Sequence, residues 1–233
     1  NNDTKAILIA YRAYLDYYKG NYDKALEIVK DANEIVEKKD SKEYAEILGY
    51  QGSLNSRLGN NTIAKKFFTE SFEMRKNIYL NQDHTHIADS LNNLGVTWSN
   101  KKDFTKALYF NTEAFEMRKR LYANQDHPDI AASLNNLGFA WNKRDFTKAL
   151  NFYTEAFEMR KRLYSNQNHP VIILSMFNLS LTLCENKARK NEGIKILKEY
   201  KKIVTKSEDK QKIDLYLKKY DNIGRDKSKR KKR

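Results

Sequence analysis

Three stretches of this chain recur almost letter for letter, and that recurrence restricts the fold more than any other feature. Ile87-Ala-Asp-Ser-Leu-Asn-Asn-Leu-Gly95 returns as Ile130-Ala-Ala-Ser-Leu-Asn-Asn-Leu-Gly138. Asp103-Phe-Thr-Lys-Ala-Leu108 returns as Asp145-Phe-Thr-Lys-Ala-Leu150, and Phe115-Glu-Met-Arg-Lys-Arg-Leu-Tyr122 as Phe157-Glu-Met-Arg-Lys-Arg-Leu-Tyr164. The offset is 43 residues in the first stretch and 42 in the other two. The difference falls in Ser99–Asp103 against Asn142–Asp145, so an insertion is tolerated there, the mark of a surface loop between rigid elements. A fixed period of this length signals stacked copies of one supersecondary unit.

Fainter copies flank the pair. Phe72-Glu-Met-Arg-Lys76, with Gly52 and Ala64 upstream, repeats the same frame, and Tyr17-Tyr-Lys-Gly-Asn-Tyr-Asp-Lys-Ala-Leu26 reads as the middle of a first copy. Asn178-Leu-Ser180 with Gly193 reads as a degenerate fifth. Within a unit, Ile130, Leu134, Leu137 and Trp141 keep helical spacing, as do Phe146, Leu150, Tyr153 and Phe157, so each unit is predicted to be two helices. Gly95, Gly138, Ala107 and Ala149 let paired helices approach closely, which offsets the roughly 1 kcal/mol helix cost of a glycine. Asp126-His127-Pro128-Asp129 and Asn168-His169-Pro170 supply cap candidates with proline early in the next helix.

One helix pair cannot bury its apolar stripe alone, whereas stacked pairs can. The reading is therefore an all-α solenoid of five units, approximately 1–40, 41–84, 85–127, 128–169 and 170–206. Ile213, Tyr216, Leu217 and Tyr220 fit an amphipathic helix over 207–224 that caps the open end. With only 2 Pro and 8 Gly in 233 residues, the chain lacks the regular turn signals that a β-sandwich or barrel requires.

These repeats resemble tetratricopeptide repeats, in particular the 42-residue variety of the kinesin light chain. The resemblance rests on His127-Pro128-Asp129, Leu134-Asn-Asn-Leu137 and Arg160-Lys161. It is most specific over 85–170, and it fades toward both ends. It implies a right-handed superhelix whose concave groove holds an extended peptide of a protein partner. It also implies that Asn93, Asn136 and Asn178 line that groove, where an amide offers both donor and acceptor to a peptide backbone. One turn later, Val96, Phe139 and Leu181 would wall the pockets, and in the first two units the groove position holds Tyr11 and Tyr50. The alternative is that the asparagines bond across neighbouring helices and hold the stack together.

The other prominent residues read as structure. His84, His127 and His169 recur one per linker, a full repeat apart, too far for one metal ion, so capping or loop packing is expected. Cys184 is expected to be a buried, inert thiol. Arg118-Lys119-Arg120 and Arg160-Lys161-Arg162 are expected on a solvated face with pairs such as Glu116–Arg120 and Glu158–Arg162. No phosphate loop, nucleophile elbow or metal-spaced cluster appears, so neither catalysis nor a cofactor or metal is expected.

Charge is unevenly placed. Residues 1–84 are net 0, residues 85–185 net +2, and residues 186–233 net +12 of the total +14. The run 225–233 has no apolar residue to bury and is expected to be a disordered basic tail. Its Lys227, Lys229, Arg230, Lys231, Lys232 and Arg233 could serve as a nuclear import signal, a contact to nucleic acid or acidic lipid, or merely a solvating end. An interaction module or adaptor for a protein partner is the favoured function. The alternative is a nucleic-acid-associated or nuclear adaptor acting through the basic end. A single cysteine and no apolar run of about 20 residues fit a cytoplasmic protein without a transmembrane segment.

Overall fold

The computed structural model describes the backbone of residues 2–166 and 168–230, and the side chains of those residues except 207, 208 and 221–230. Eleven helices and no strand occur among the described residues. They form two compact units.

The first unit, Asn1–Gln125, holds α1 (Asn2–Tyr18), α2 (Tyr22–Ile35), α3 (Lys42–Arg57), α4 (Asn61–Ile78), α5 (Thr85–Asn100) and α6 (Phe104–Leu121). Each odd helix packs on the even helix after it, and each even helix on the next odd one. Helix α1 also lies beside α3, and α3 beside α5, so the odd helices make one inner row. Alanines at the crossings explain the close approach: Ala6, Ala10, Ala13, Ala25, Ala64 and Ala107 are wholly buried. A Cβ at Gly52 would lie 2.6 Å from the Phe68 ring, so glycine is what lets that ring lie on the helix.

The second unit, Asp126–Arg233, holds α7 (Pro128–Trp141), α8 (Phe146–Leu163), α9 (Pro170–Glu185), α10 (Lys190–Ile203) and α11 (Ser207–Arg230), with the same neighbour-on-neighbour packing. Ile130, Leu134, Leu137, Leu150 and Tyr153 are buried, as their spacing predicts. Helix α11 covers the end of this stack: Ile213 and Tyr220 are buried against Leu197, Val204, Cys184 and Ile194, with Tyr216 and Leu217 beside them. Fully burying one such apolar side chain is worth about 1.5–3 kcal/mol. The expected cap is thus present. The residues 225–233 read from sequence as a disordered basic tail have no described side chains, and 231–233 lie outside the described residues altogether.

The helix starts follow from their caps. Asp103 and Asp145 side chains accept from the backbone N–H groups of Lys106 and Lys148 at 3.1 and 3.0 Å, satisfying donors a helix start otherwise leaves open. The odd-residue insertion also has a place: Lys102, at φ +62°, sits in the α5–α6 turn, and no residue of the shorter α7–α8 turn takes a positive φ. Among the described residues no helix is long and apolar enough to cross a membrane.

Candidate functional site

Only the second and third residues of each Arg-Lys-Arg triplet lie on the solvated face expected of them; the first arginine turns inward. Arg75, Arg118 and Arg160, one per repeat, are buried to 8%, 5% and 7% exposure. Arg75 Nη1 donates to Ser90 Oγ at 2.8 Å and to the His86 carbonyl at 3.1 Å. Arg160 repeats this with Ser175 Oγ at 2.5 Å and the Val171 carbonyl at 3.1 Å. Each guanidinium therefore reaches from an even helix to the odd helix that follows. Within the first unit Arg118 pairs its Nη2 with Asp89 at 2.6 Å, and its Nη1 donates to Asn92 Oδ1 at 3.4 Å. Burial lowers the pKa of Arg75 and Arg160, yet an arginine keeps its charge under such shifts.

The last arginine of each triplet ties down a linker. Arg120 holds Asp83 in a two-pronged pair at 2.5 and 2.9 Å, and Arg162 holds Asp126 at 2.6 and 2.9 Å. The expected Glu116–Arg120 and Glu158–Arg162 pairs are displaced by these: the fork of a guanidinium fits one carboxylate edge-on better than a neighbour one helical turn away. The same bond holds Asp83 and Asp126 below the usual carboxylate range. The middle lysines lie over Phe115 and Phe157 at 5.3 Å.

The linker histidines are caps. His84, His127 and His169 Nδ1 accept from the backbone N–H of His86, Asp129 and Val171 at 3.2, 3.2 and 3.4 Å. His84 stacks on Tyr79 with ring centres 3.5 Å apart, and His169 on Tyr164 at 4.1 Å. Cys184 is buried, and burial pushes its thiol up to about 11, so it stays protonated at neutral pH.

The inner row of the first unit carries a cavity of about 310 Å³ lined by Tyr14, Glu46, Tyr50, Arg75, Asp89, Asn92 and Asn93 among others. Two residues predicted for the groove, Asn93 and Tyr50, meet there. Tyr14 packs its ring 5.3 Å from that of Tyr50, and Tyr50 donates its hydroxyl to Glu46 at 2.8 Å. Burial and that carboxylate raise the Tyr50 pKa. Tyr11, predicted for the first unit, is half exposed on α1. Val96 is partly buried on α5. The pocket thus offers a buried cation, two carboxylates, two amides and two phenols within one cleft.

In the second unit, Asn136 and Asn178 are both partly exposed on α7 and α9, and Phe139 is exposed. Asn178 Nδ2 donates to Asn135 Oδ1 at 2.8 Å, a bond between neighbouring odd helices. Leu181 packs into the clusters covered by α11. The Lys227, Lys229 and Arg230 side chains, and residues 231–233, lie outside the described residues.

Sequence reasoning passed over the buried arginines and Tyr14. A signal for the former was present: Arg75 to Ser90, Arg118 to Ser133 and Arg160 to Ser175 all keep a spacing of 15.

Residues 86–162 match the tetratricopeptide repeat family. No curated protein matches the chain. Among solved structures, BtubC (BKLC) from P. vanneervenii is similar at TM-score 0.69 and 22% identity, covering 84% of this chain and 78% of that one. A Podosopora anserina protein of the kinesin light chain type, with nearly identical TPR-like repeats, gives TM-score 0.69 and 12% identity over 87% and 96%. A Rap protein complexed with Competence and Sporulation Factor gives TM-score 0.70 and 17% identity over 91% and 56%. The chain is an α-solenoid of tetratricopeptide-type helix pairs. Its helix pairs share the fold of these solved tetratricopeptide-type proteins.

Proposed function

We propose that this chain is a non-catalytic interaction module or adaptor whose inner row of helices takes an extended peptide from a protein partner. The observation that carries this reading is the α1–α3–α5 cleft, where Asn93 sits with Asn92, Tyr50 and Arg75. Amides there can bond a peptide backbone whatever its side chains. The buried guanidinium and the two carboxylates give the cleft polarity that can select side chains or a chain end. In the second unit Asn136, Asn178 and Phe139 extend the proposal to α7 and α9. Asn178 there divides its amide between Asn135 and whatever is bound. The Rap protein solved with its factor supports the reading, because a similar fold is found carrying a ligand. The residual alternative, an adaptor working through the +12 block 186–233, is separable by experiment.

The test is a peptide selected on the full chain from a random display library, titrated against Asn93→Ala and against a chain ending at residue 224. The reading predicts weakening by Asn93→Ala of about 1–3 kcal/mol, the cost of unpaired polar groups. It predicts little change from the truncation at raised salt. Binding that ignores Asn93 and vanishes with the basic run, falling steeply with salt, would support the alternative.

A further inference from the structure

Helix α1 carries a second surface outside the cleft. One of its faces is wholly buried: Ala6, Ala10 and Ala13 pack against α2 and α3. On the other, Leu8, Tyr11, Leu15 and Tyr18 are 63%, 53%, 44% and 67% exposed. Their spacing of three, four and three residues is the a/d pattern by which one helix seats another. The seam is stiffened from below. Tyr14 donates its hydroxyl to Tyr18 at 2.7 Å, and the Tyr11 and Tyr14 rings stack at 6.4 Å. Side chains held in this way lose less freedom on binding.

Charge decides what can lie on this seam. Lys5 and Arg12 on its edge, and Lys19 in the turn just past its end, follow one another at intervals of seven, and all three are exposed. None of them forms an ion pair with a described residue. The helix has two carboxylates, Asp3 and Asp16, and both are buried: Asp3 accepts from the Glu37 N–H at 2.9 Å, and Asp16 from Asn21 at 3.3 Å. The exposed face of α1 is thus apolar along its middle and purely basic along one edge.

We infer that this face docks an amphipathic helix of a protein partner whose apolar stripe is bordered by a row of Asp or Glu. A second copy of α1 does not fit. Antiparallel pairing sets Lys5, Arg12 and Lys19 against the same row reversed. Parallel pairing sets them against the opposite edge, where Ile7 and Tyr14 stand and no carboxylate is exposed. An acidic-edged helix meets both the seam and the row, and flanking charges of this kind set partner choice in paired helices.

The experiment uses the full chain and two synthetic helices of about 21 residues, three heptads long. Both carry leucine at the seam positions; one has glutamate along the flanks and the other lysine. Fluorescence anisotropy is expected to show the glutamate helix binding at least about tenfold tighter, an advantage that shrinks as salt screens the edge. Leu8→Glu with Leu15→Glu should abolish binding while leaving the melting midpoint unchanged, since both side chains are exposed. Arg12→Glu should erase or invert the preference between the two helices. Equal binding of the two helices, or binding that survives the double leucine change, would overturn the inference. So would sedimentation showing a self-associated chain that Leu8→Glu dissociates, because a second copy would then be the occupant.

Discussion

Arg75 Nη1 lies 2.8 Å from Ser90 Oγ, and this bond fastens α4 to α5 beneath the floor of the inner cleft. The guanidinium does two jobs at once. It satisfies the serine and the His86 carbonyl in a place that water barely reaches, and it gives the cleft a fixed positive charge.

Removing it should therefore weaken the stack and the cleft together. Arg75→Ala leaves buried acceptors unpaired and should cost about 2–4 kcal/mol by urea denaturation. Arg75→Lys keeps a charge but not the fork, and should recover only part of that. Lys76→Ala, next door and half-buried, loses only a solvent-facing pair with Glu73 and should stay within about 0.5–1 kcal/mol of the parent.

Asn111 offers a gain. It is 1% exposed, and neither its Oδ1 nor its Nδ2 has a hydrogen-bond partner. Its amide lies over Gly95, while the matching places over Gly52 and Gly138 hold the rings of Phe68 and Tyr153. Asn111→Phe should raise stability by about 1–2 kcal/mol, because it removes two unsatisfied buried polar atoms and adds apolar burial. A higher urea midpoint with an unchanged slope is the expected result.

Gly193 is fixed by its neighbours rather than by its own backbone freedom. A Cβ there would stand 2.6 Å from the Cys184 backbone nitrogen and 2.7 Å from the Ser180 carbonyl. Backbone cannot swing aside as a side chain can, so Gly193→Ala should destabilise by about 1–3 kcal/mol. The loss should appear first as faster hydrogen exchange in α9 and α10.

Acid should loosen the linkers. The folded pKa of His84 is lowered from 6.5, first by burial and then by the His86 and Arg75 charges. The unfolded chain then binds the proton more readily, so this contribution is whole above pH 6.5 and is lost as pH falls through the folded pKa. Protonation also takes away the Nδ1 lone pair that caps α5. Asp83 and Asp126 are lowered by their arginines, so their contribution is lost further down, below the ordinary carboxylate value of 3.8. Both pairs are largely exposed, which keeps each effect small. Thermal melts from pH 7 to pH 3 should show two declines, and His84→Asn, which retains a cap acceptor, should remove the first.

The repeat made the helix pairs, the close glycine and alanine crossings and the covering helix legible, because each follows from periodicity and residue size. His127 and His169 were readable as caps from the prolines that follow them. The buried arginines were not, since helical spacing places a residue on its own helix but says nothing of how far a long side chain reaches into the next one. Asn178 shows the same limit: sequence set a groove role against a bracing role, and its bond to Asn135 gives the bracing role a physical basis without emptying the first. Leu181 is expected as a pocket wall from its repeat position, and its packing beside α11 is tertiary information that spacing alone does not carry. The first repeat was faint in sequence, and Tyr14, which belongs to it, joins the cleft only through the packing of α1 on α3.

The most direct test of the proposed peptide cleft is hydrogen exchange by mass spectrometry on the full chain, with and without a saturating library-selected peptide. The account predicts added protection on the odd helices, centred on 46–53 of α3 and 86–93 of α5, with the outer helices α4 and α6 little changed. Protection confined to α4 and α6, or to the basic end beyond residue 206, would contradict it.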